Sequence, residues 1–194
     1  MVARVNGALW LVAVLMAIHV AGCGTAPCEP SADTPYYLPY EAGTTCFVGQ
    51  SNFGPWSHQH EYAVDFSMPM HTPILAVRAG EVVSSVDTNT ETCWLTQDCA
   101  GNHVIIRHED GTRARYWHLE YGGAGVAVGD RVQRGQVIGY SGQTGIAFVP
   151  HLHFSVRDAE GKSLEVRFAD VCDNNGVPLA LHRYTSQNTT QPSP

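Results

Sequence analysis

Two histidines, His151 and His153, stand two positions apart in an apolar, strand-like stretch. Successive side chains of an extended strand point to opposite faces, so this spacing puts both imidazoles on one side and packs Leu152 and Phe154 behind them. Neutral imidazole is a common zinc ligand, and a catalytic zinc keeps three protein ligands and one position for water. The pair therefore indicates part of a metal site, although two half-exposed polar residues would give the same pattern.

Two other segments carry side chains of the same kind. One contains His58, His60 and Asp65, and another, further along the chain, contains His118. A catalytic zinc site is commonly assembled from histidines and a carboxylate on separate segments. The sequence therefore predicts a metal centre built by distant parts of the chain.

Short apolar runs separated by turn residues fill most of the chain between Asp65 and Val166. Asn102–His108 is one such run, and the Asp110-Gly111 pair after it predicts a hairpin because glycine readily adopts the positive φ of a tight turn. No helical period persists for three turns. These features predict an all-β fold with a sandwich-like, antiparallel β-sheet core.

Size and charge limit the possible functions. With 194 residues and 44% hydrophobic content, the chain can bury one good core, so we expect one domain with appendages. The formal charge is −7 and there is no basic patch. We therefore expect no nucleic-acid partner.

The N-terminus has the features of an export signal. Arg4 precedes an apolar run, Ala8–Val20. A membrane-spanning helix needs about 20 apolar residues, so this run is too short to span a bilayer. The following Ala-Gly-Cys resembles a bacterial lipobox, which implies that residues 1–22 are a lipoprotein signal peptide, cleaved before Cys23. Lipidation of the Cys23 thiol would anchor the protein to the cell envelope, at the outer membrane if the host is Gram-negative. An ordinary signal peptide cut nearby is the alternative.

Export places the other cysteines in an oxidising compartment, where disulfides persist. Cys93 and Cys99 are close enough in sequence to staple a loop, so we predict a bridge between them. A Cys46–Cys172 bridge would tie the start of the domain to its end and leave Cys28 free, but sequence alone does not determine this pairing.

Composition divides the exported chain into three parts. Residues 23–35 are rich in Pro, Ser and Ala and predict a flexible tether. Residues 36–172 form the expected catalytic domain. Residues 173–194 form a C-terminal extension, whose polar end, from Ser186 to Pro194, we expect to be disordered.

Five motifs follow one another in order: S-H-x-x-x-x-A-x-D-F, G-N-H-V-I-I-x-H-x-D-G-T, Y-W-H-L, V-G-D-x-V-x-x-G-Q-V-I-G-Y-S-G-x-T-G and P-H-L-H-F. The segment that contains these motifs, from Pro39 to about Val166, resembles the lysostaphin/LytM-type zinc metallopeptidases, which cut peptide crosslinks in bacterial cell walls. The resemblance implies an antiparallel β-sheet core, called the duplicated hybrid motif, with zinc at the floor of a narrow groove.

Position by position, the resemblance implies that His58, Asp65 and His153 are the zinc ligands. It implies that His118 and His151 are a catalytic pair that does not bind the metal. Zinc lowers the pKa of a bound water from 15.7 to about 7, and histidines beside it can move the proton.

The first ligand has an alternative in the sequence, because His60 lies five positions before Asp65 and His58 lies seven. Family members often have a spacing of four, so spacing alone permits either histidine. The Gln- and Gly-containing stretch Gly49–Ser57 resembles the longer variant of the family, which favours His58.

The resemblance implies a zinc-dependent endopeptidase that acts on peptidoglycan crosslinks. One alternative is a lipoprotein of the same type that has lost cleavage and activates cell-wall amidases. The presence of every candidate ligand and of both catalytic histidines disfavours that alternative. A zinc peptidase that acts on a protein substrate would use the same site.

Overall fold

The computed structural model describes residues 29–31, 34–94 and 99–191. The predicted signal peptide, Cys23 and Cys28 lie outside these ranges. The described residues form β-strands and one short 3-10 helix, which confirms the all-β prediction. None of the described segments is a helix long and apolar enough to cross a bilayer.

The strands are short and are joined mostly by turns. They are β1 Thr45–Gln50, β2 Val64–Ser67, β3 Pro73–Leu75, β4 Gly80–Val86, β5 Thr92–Cys93, β6 Asn102–Arg107, β7 Arg113–Ala124, β8 Arg131–Val132, β9 Val137–Ser141, β10 Gly145–Ile146, β11 His151–Arg157, β12 Ser163–Leu164 and β13 Arg183–Thr185. The 3-10 helix is Asn174–Gly176.

Most strands belong to one antiparallel sheet with the order β13-β1-β2-β11-β7-β6-β4-β8. β12 extends it beside β11, and β9 joins β3 to β7. β5 and β10 form a separate parallel pair. The predicted hairpin is β6–β7, and Gly111 in its turn has φ +83°. The sheet brings β2, β11 and β7 side by side, although they are far apart in sequence.

The core lies on the sheet face opposite His151 and His153. Leu152 and Phe154 are 0% and 1% exposed, as the alternation predicted. Aromatic rings from distant segments meet Phe154 edge-on or tilted, with Tyr116 at 5.2 Å and Phe168 at 5.7 Å between ring centroids. Burial of such large side chains is the main favourable term that holds the strands in register.

The prediction of a disordered C-terminal end is wrong for residues 186–191. β13 pairs with β1, and Asn188, which is 1% exposed, donates hydrogen bonds to the carbonyls of Leu38 and Ala76 at 3.0 and 3.2 Å. The polar composition of this segment predicted that its side chains are exposed to water. These polar side chains instead satisfy buried main-chain groups, a role that composition does not reveal.

The folded part also begins earlier than residue 36, the predicted end of the tether. The amide of Ser31 donates to the Ala169 carbonyl at 2.9 Å, and Tyr36 forms an isolated parallel bridge with Phe168. A flexible tether is therefore wrong for Ser31, while much of the predicted segment lies outside the described residues.

The disulfide pairing of the cysteines differs in part from the prediction. A disulfide joins Cys93 and Cys99, with 2.06 Å between the sulfurs. Cys172 is disulfide-bonded, whereas Cys46 is a buried free thiol, so the Cys46–Cys172 pairing is wrong. Cys46 is 3% exposed on the core side of β1, and burial raises its pKa to about 11.

Asn102 is fully buried at the start of β6, where it links three segments. Its side chain accepts a hydrogen bond from the amide of Asn89 at 2.9 Å and donates to the carbonyls of Asn89 at 2.9 Å and Glu120 at 3.0 Å. It therefore ties the segment after β4 to β7. The bond to β7 is made at Glu120, two residues from His118.

The change Asn102→Ala should destabilise the fold by about 2–3 kcal/mol, because it leaves buried main-chain groups without partners. Urea unfolding measures this loss. The control is Asn89→Ala, since Asn89 takes part through its main chain and should keep its stability within about 0.5 kcal/mol. Equal stability of the two variants would contradict the assigned role of Asn102.

Candidate metal centre

Neighbouring strands bring the predicted ligands together. Asp65 on β2 and His153 on β11 are direct partners across the sheet, so their side chains leave the same face. His58 reaches them from the loop between β1 and β2, and it is completely buried. Among the described residues, these three form the group whose ligand atoms could hold a metal ion.

The three ligand atoms form a nearly equilateral triangle. Nε2 of His58 lies 3.1 Å from both Oδ1 of Asp65 and Nδ1 of His153, and the latter two atoms are 3.0 Å apart. Atoms bound at about 2.0–2.1 Å to a tetrahedral zinc lie about 3.3 Å from one another. The donor set and its size therefore fit zinc and leave a fourth position open on the cleft side.

An acceptor group lies on the far side of each ligand ring, within hydrogen-bonding distance for His58 and at ion-pair distance for His153. Nδ1 of His58 lies 3.0 Å from the Ser51 carbonyl, which only accepts, so this nitrogen carries the proton and Nε2 presents a lone pair. Nε2 of His153 lies 3.7 Å from Oε1 of Glu61. Acceptor groups on the outer side of a ligating histidine favour the tautomer that binds metal.

Gln50 holds the carboxylate and the His58 loop in one arrangement. Its amide nitrogen donates to Oδ2 of Asp65 at 3.1 Å, and its oxygen accepts from the amide of Trp56 at 2.8 Å. Burial raises the pKa of Asp65, but the adjacent His153 and His58 imidazoles lower it by more, so the carboxyl remains ionised. The sequence indicated Gln50 only as part of the Gly49–Ser57 stretch and not as a support for the carboxylate.

The structure favours His58 over His60 as the first ligand. His60 is exposed and does not belong to the three-residue group. The alternative ligand is therefore not supported by the geometry.

His118 faces the cleft because of a bulge in β7. Asn102 pairs with Leu119 and His103 pairs with Trp117, so His118 is an extra residue between two paired positions. Its φ is +67°. Such bulges re-aim side chains beside functional sites. Regular alternation would have turned His118 towards the core and Leu119 outwards, whereas Leu119 is fully buried.

His118 and His151 lie next to each other at the metal centre, with ring centroids 4.6 Å apart. In both residues, Nδ1 lies 2.8 Å from a main-chain carbonyl, that of Thr144 for His118 and that of Val149 for His151. Both therefore direct Nε2 away from these bonds. Burial, with smaller contributions from His151 and His153, lowers the pKa of His118 to about 3, so its ring is neutral at physiological pH.

These groups line a cleft of about 750 Å³ that matches the predicted groove. Its lining includes exposed apolar side chains, among them Trp56 and Phe148. Trp94, beside the Cys93–Cys99 disulfide, packs against Phe148 with 5.4 Å between ring centroids. Trp94 therefore supports Phe148 at the edge of the cleft.

The change His58→Ala should abolish stoichiometric zinc binding, because it removes one of three ligands from a buried triangle. His60→Ala is the matched control and should bind one zinc per chain as the unchanged protein does. Metal analysis of the purified variants after dialysis measures both. A zinc-loaded His58→Ala variant would contradict the ligand assignment.

The chain is similar to two endopeptidases over part of their length. The glycyl-glycine endopeptidase ALE-1 of Staphylococcus capitis is 39% identical over 95 residues, which are 49% of this chain and 24% of that protein. The peptidoglycan DD-endopeptidase ShyA of Vibrio cholerae is 34% identical over 114 residues, which are 59% of this chain and 24% of that protein. The chain thus spans about a quarter of each relative.

A solved structure has the same fold. It is a catalytic-domain variant of the prophage-encoded M23 protein EnpA from Enterococcus faecalis, with a TM-score of 0.51 and 21% identity. The alignment covers 71% of this chain and 98% of that domain.

The sequence model of peptidase family M23 matches residues 59–166, which is more than half of the chain. The match includes Asp65, His118, His151 and His153, while His58 precedes it by one residue and is assigned by its position in the triangle. His58, Asp65 and His153 form the metal-binding site, and their donor set and spacing fit zinc. The chain is therefore a member of peptidase family M23.

Proposed function

We propose that this protein is a zinc-dependent endopeptidase that hydrolyses peptide crosslinks of bacterial peptidoglycan. The observation that carries the proposal is the triangle of ligand atoms, 3.0–3.1 Å on each side, at the cleft beside His118 and His151. The relatives ALE-1 and ShyA, named as endopeptidases, support a wall peptide as the substrate.

The cleft suits a peptide chain. Its apolar wall includes Ile146, Phe148 and Val149, which are 39%, 47% and 58% exposed. Exposed apolar side chains that line a concave surface commonly contact a ligand. The ligand triangle lies on the same surface, so a peptide that covers this wall would bring an amide bond to the metal centre.

The two remaining histidines supply proton transfer in the proposed reaction. When bound, zinc lowers the pKa of water and polarises the scissile carbonyl. His118 is neutral and its Nε2 has no hydrogen-bond partner among the described residues, so it accepts the proton of the attacking water and passes it to the departing amine nitrogen. His151 lies beside it and stabilises the negative charge that develops on the carbonyl oxygen. The water oxygen joins the carbonyl carbon and the C–N bond breaks.

The alternative of an amidase activator without cleavage is weaker for a physical reason. A binding module would not need a triangle of electron-rich atoms with a free coordination position. The intact His58, Asp65 and His153 set therefore favours the enzyme. A protein substrate would use the same chemistry and is distinguished by assay.

Purified, zinc-loaded protein should release uncrosslinked muropeptides from crosslinked peptidoglycan, and a chelator should abolish the release. His118→Ala and His151→Ala should each lower kcat/KM by about 100-fold or more while zinc remains bound. His182→Ala, an exposed histidine outside the cleft, is the matched control and should retain activity. Stimulation of an amidase without cleavage, or full activity of His118→Ala, would overturn the proposal.

We further propose that the mature protein is exported and held at the cell envelope by a lipid on Cys23. The support is the lipobox-like sequence after the short apolar run at the N-terminus. In cells, Cys23→Ser should move the protein from the membrane fraction to the soluble fraction, as immunoblotting of fractions would measure. Cys28→Ser is the control and should stay with the membrane. Unchanged membrane association of Cys23→Ser would contradict the anchor.

A further inference from the structure

A second cluster of polar side chains lies in the cleft beside the metal centre. Arg115 on β7 pairs with Ser155 on β11, so their side chains are neighbours on the cleft face. Ser155 is two residues from His153, a separation of about 7 Å along the strand. The cluster therefore adjoins the place where the proposed reaction occurs.

The Arg115 guanidinium forms neither a hydrogen bond nor an ion pair within the part of the chain that the structure describes. It lies 5.0 Å from the ring centroid of Trp117, the strand partner of His153, so the side chain leans along β7 towards the metal centre. Burial and the charge of Arg157 lower the pKa of Arg115, and the charge of Glu61 raises it by less.

The neighbours of Arg115 also have unused hydrogen-bond donors. Oγ of Ser155 and Nε of Arg157 are buried and have no partner among the described residues. The other guanidinium nitrogens of Arg157 donate to Oε2 of Glu61 and to the Gly161 carbonyl, both at 2.8 Å. Two guanidinium groups therefore face one carboxylate, and the cluster retains one positive charge.

Several unpaired donors with a net positive charge match a ligand that only accepts hydrogen bonds. An ionised carboxylate is such a group, and it binds a guanidinium through two parallel hydrogen bonds. Peptide substrates carry carboxylates at chain ends and on acidic side chains, whereas an internal glycine bridge carries none. A positively charged cluster therefore favours a crosslink that bears a carboxylate over an internal glycine bridge.

We infer that Arg115, beside Arg157 in the cleft lining, binds a free carboxylate of the substrate within about two residues of the scissile amide. This inference rests on the proposed peptidase function and narrows its substrate class to crosslinks that bear such a carboxylate. Arg115 is then a specificity-determining residue that contacts substrate away from the reacting atoms.

The test uses two synthetic crosslinked peptides that are identical except next to the scissile amide, where one has a free carboxylate and the other a carboxamide. The zinc-loaded protein should cleave the carboxylate peptide with a kcat/KM about 10- to 100-fold higher. Arg115→Gln should remove this preference, because it should lower the rate on the carboxylate peptide far more than the rate on the carboxamide peptide. Arg115→Lys keeps the charge but loses the paired hydrogen bonds, so it should retain part of the preference.

Arg113→Gln is the matched control, because Arg113 lies two residues away on the same strand and does not line the cleft. It should retain the full preference. Equal rates of the unchanged protein on both peptides, or an equal loss on both in Arg115→Gln, would overturn the carboxylate site and leave the peptidase function standing. Cleavage of neither peptide by zinc-loaded protein would overturn the peptidase function and this inference together.

Discussion

The metal centre depends on the register between β2 and β11. Because Asp65 and His153 are direct partners, the sheet delivers a carboxylate and an imidazole to the same face at hydrogen-bonding distance. A slip of one residue would turn either side chain into the core and bring Phe66 or Phe154 outwards. The apolar packing behind the strands therefore fixes the site as firmly as any contact within it, since the buried rings permit only one register.

Main-chain carbonyls then determine what each imidazole can do. His58, His118 and His151 direct Nδ1 to the carbonyls of Ser51, Thr144 and Val149, respectively. The other ring nitrogen has a different position in each case. Nε2 of His58 belongs to the ligand triangle, whereas the rings of His118 and His151 lie together beside it. The same hydrogen bond at Nδ1 thus accompanies a ligand at one position and, in the proposed reaction, proton-transfer groups at the other two.

Periodicity predicted the parts of this protein that follow regular geometry. Alternation placed His151 and His153 on one face with Leu152 and Phe154 behind them, and the Asp110-Gly111 pair marked the β6–β7 hairpin. The bulge at His118 breaks the alternation, so only the family resemblance pointed to its role. Local patterns also did not reveal long-range contacts, such as the free thiol of Cys46 and the Arg115 guanidinium, which forms no ion pair within the described residues.

The position of β13 has a consequence for the order of biosynthesis. β1 lies between β2 and β13, and it ends at Gln50, which holds Asp65 and the loop that carries His58. Ribosomes make β13 after the other described strands, so β1 remains an open edge of the sheet until β13 has been made. A nascent chain that stops before β13 therefore lacks one flank of β1, and with it part of the support of the metal centre.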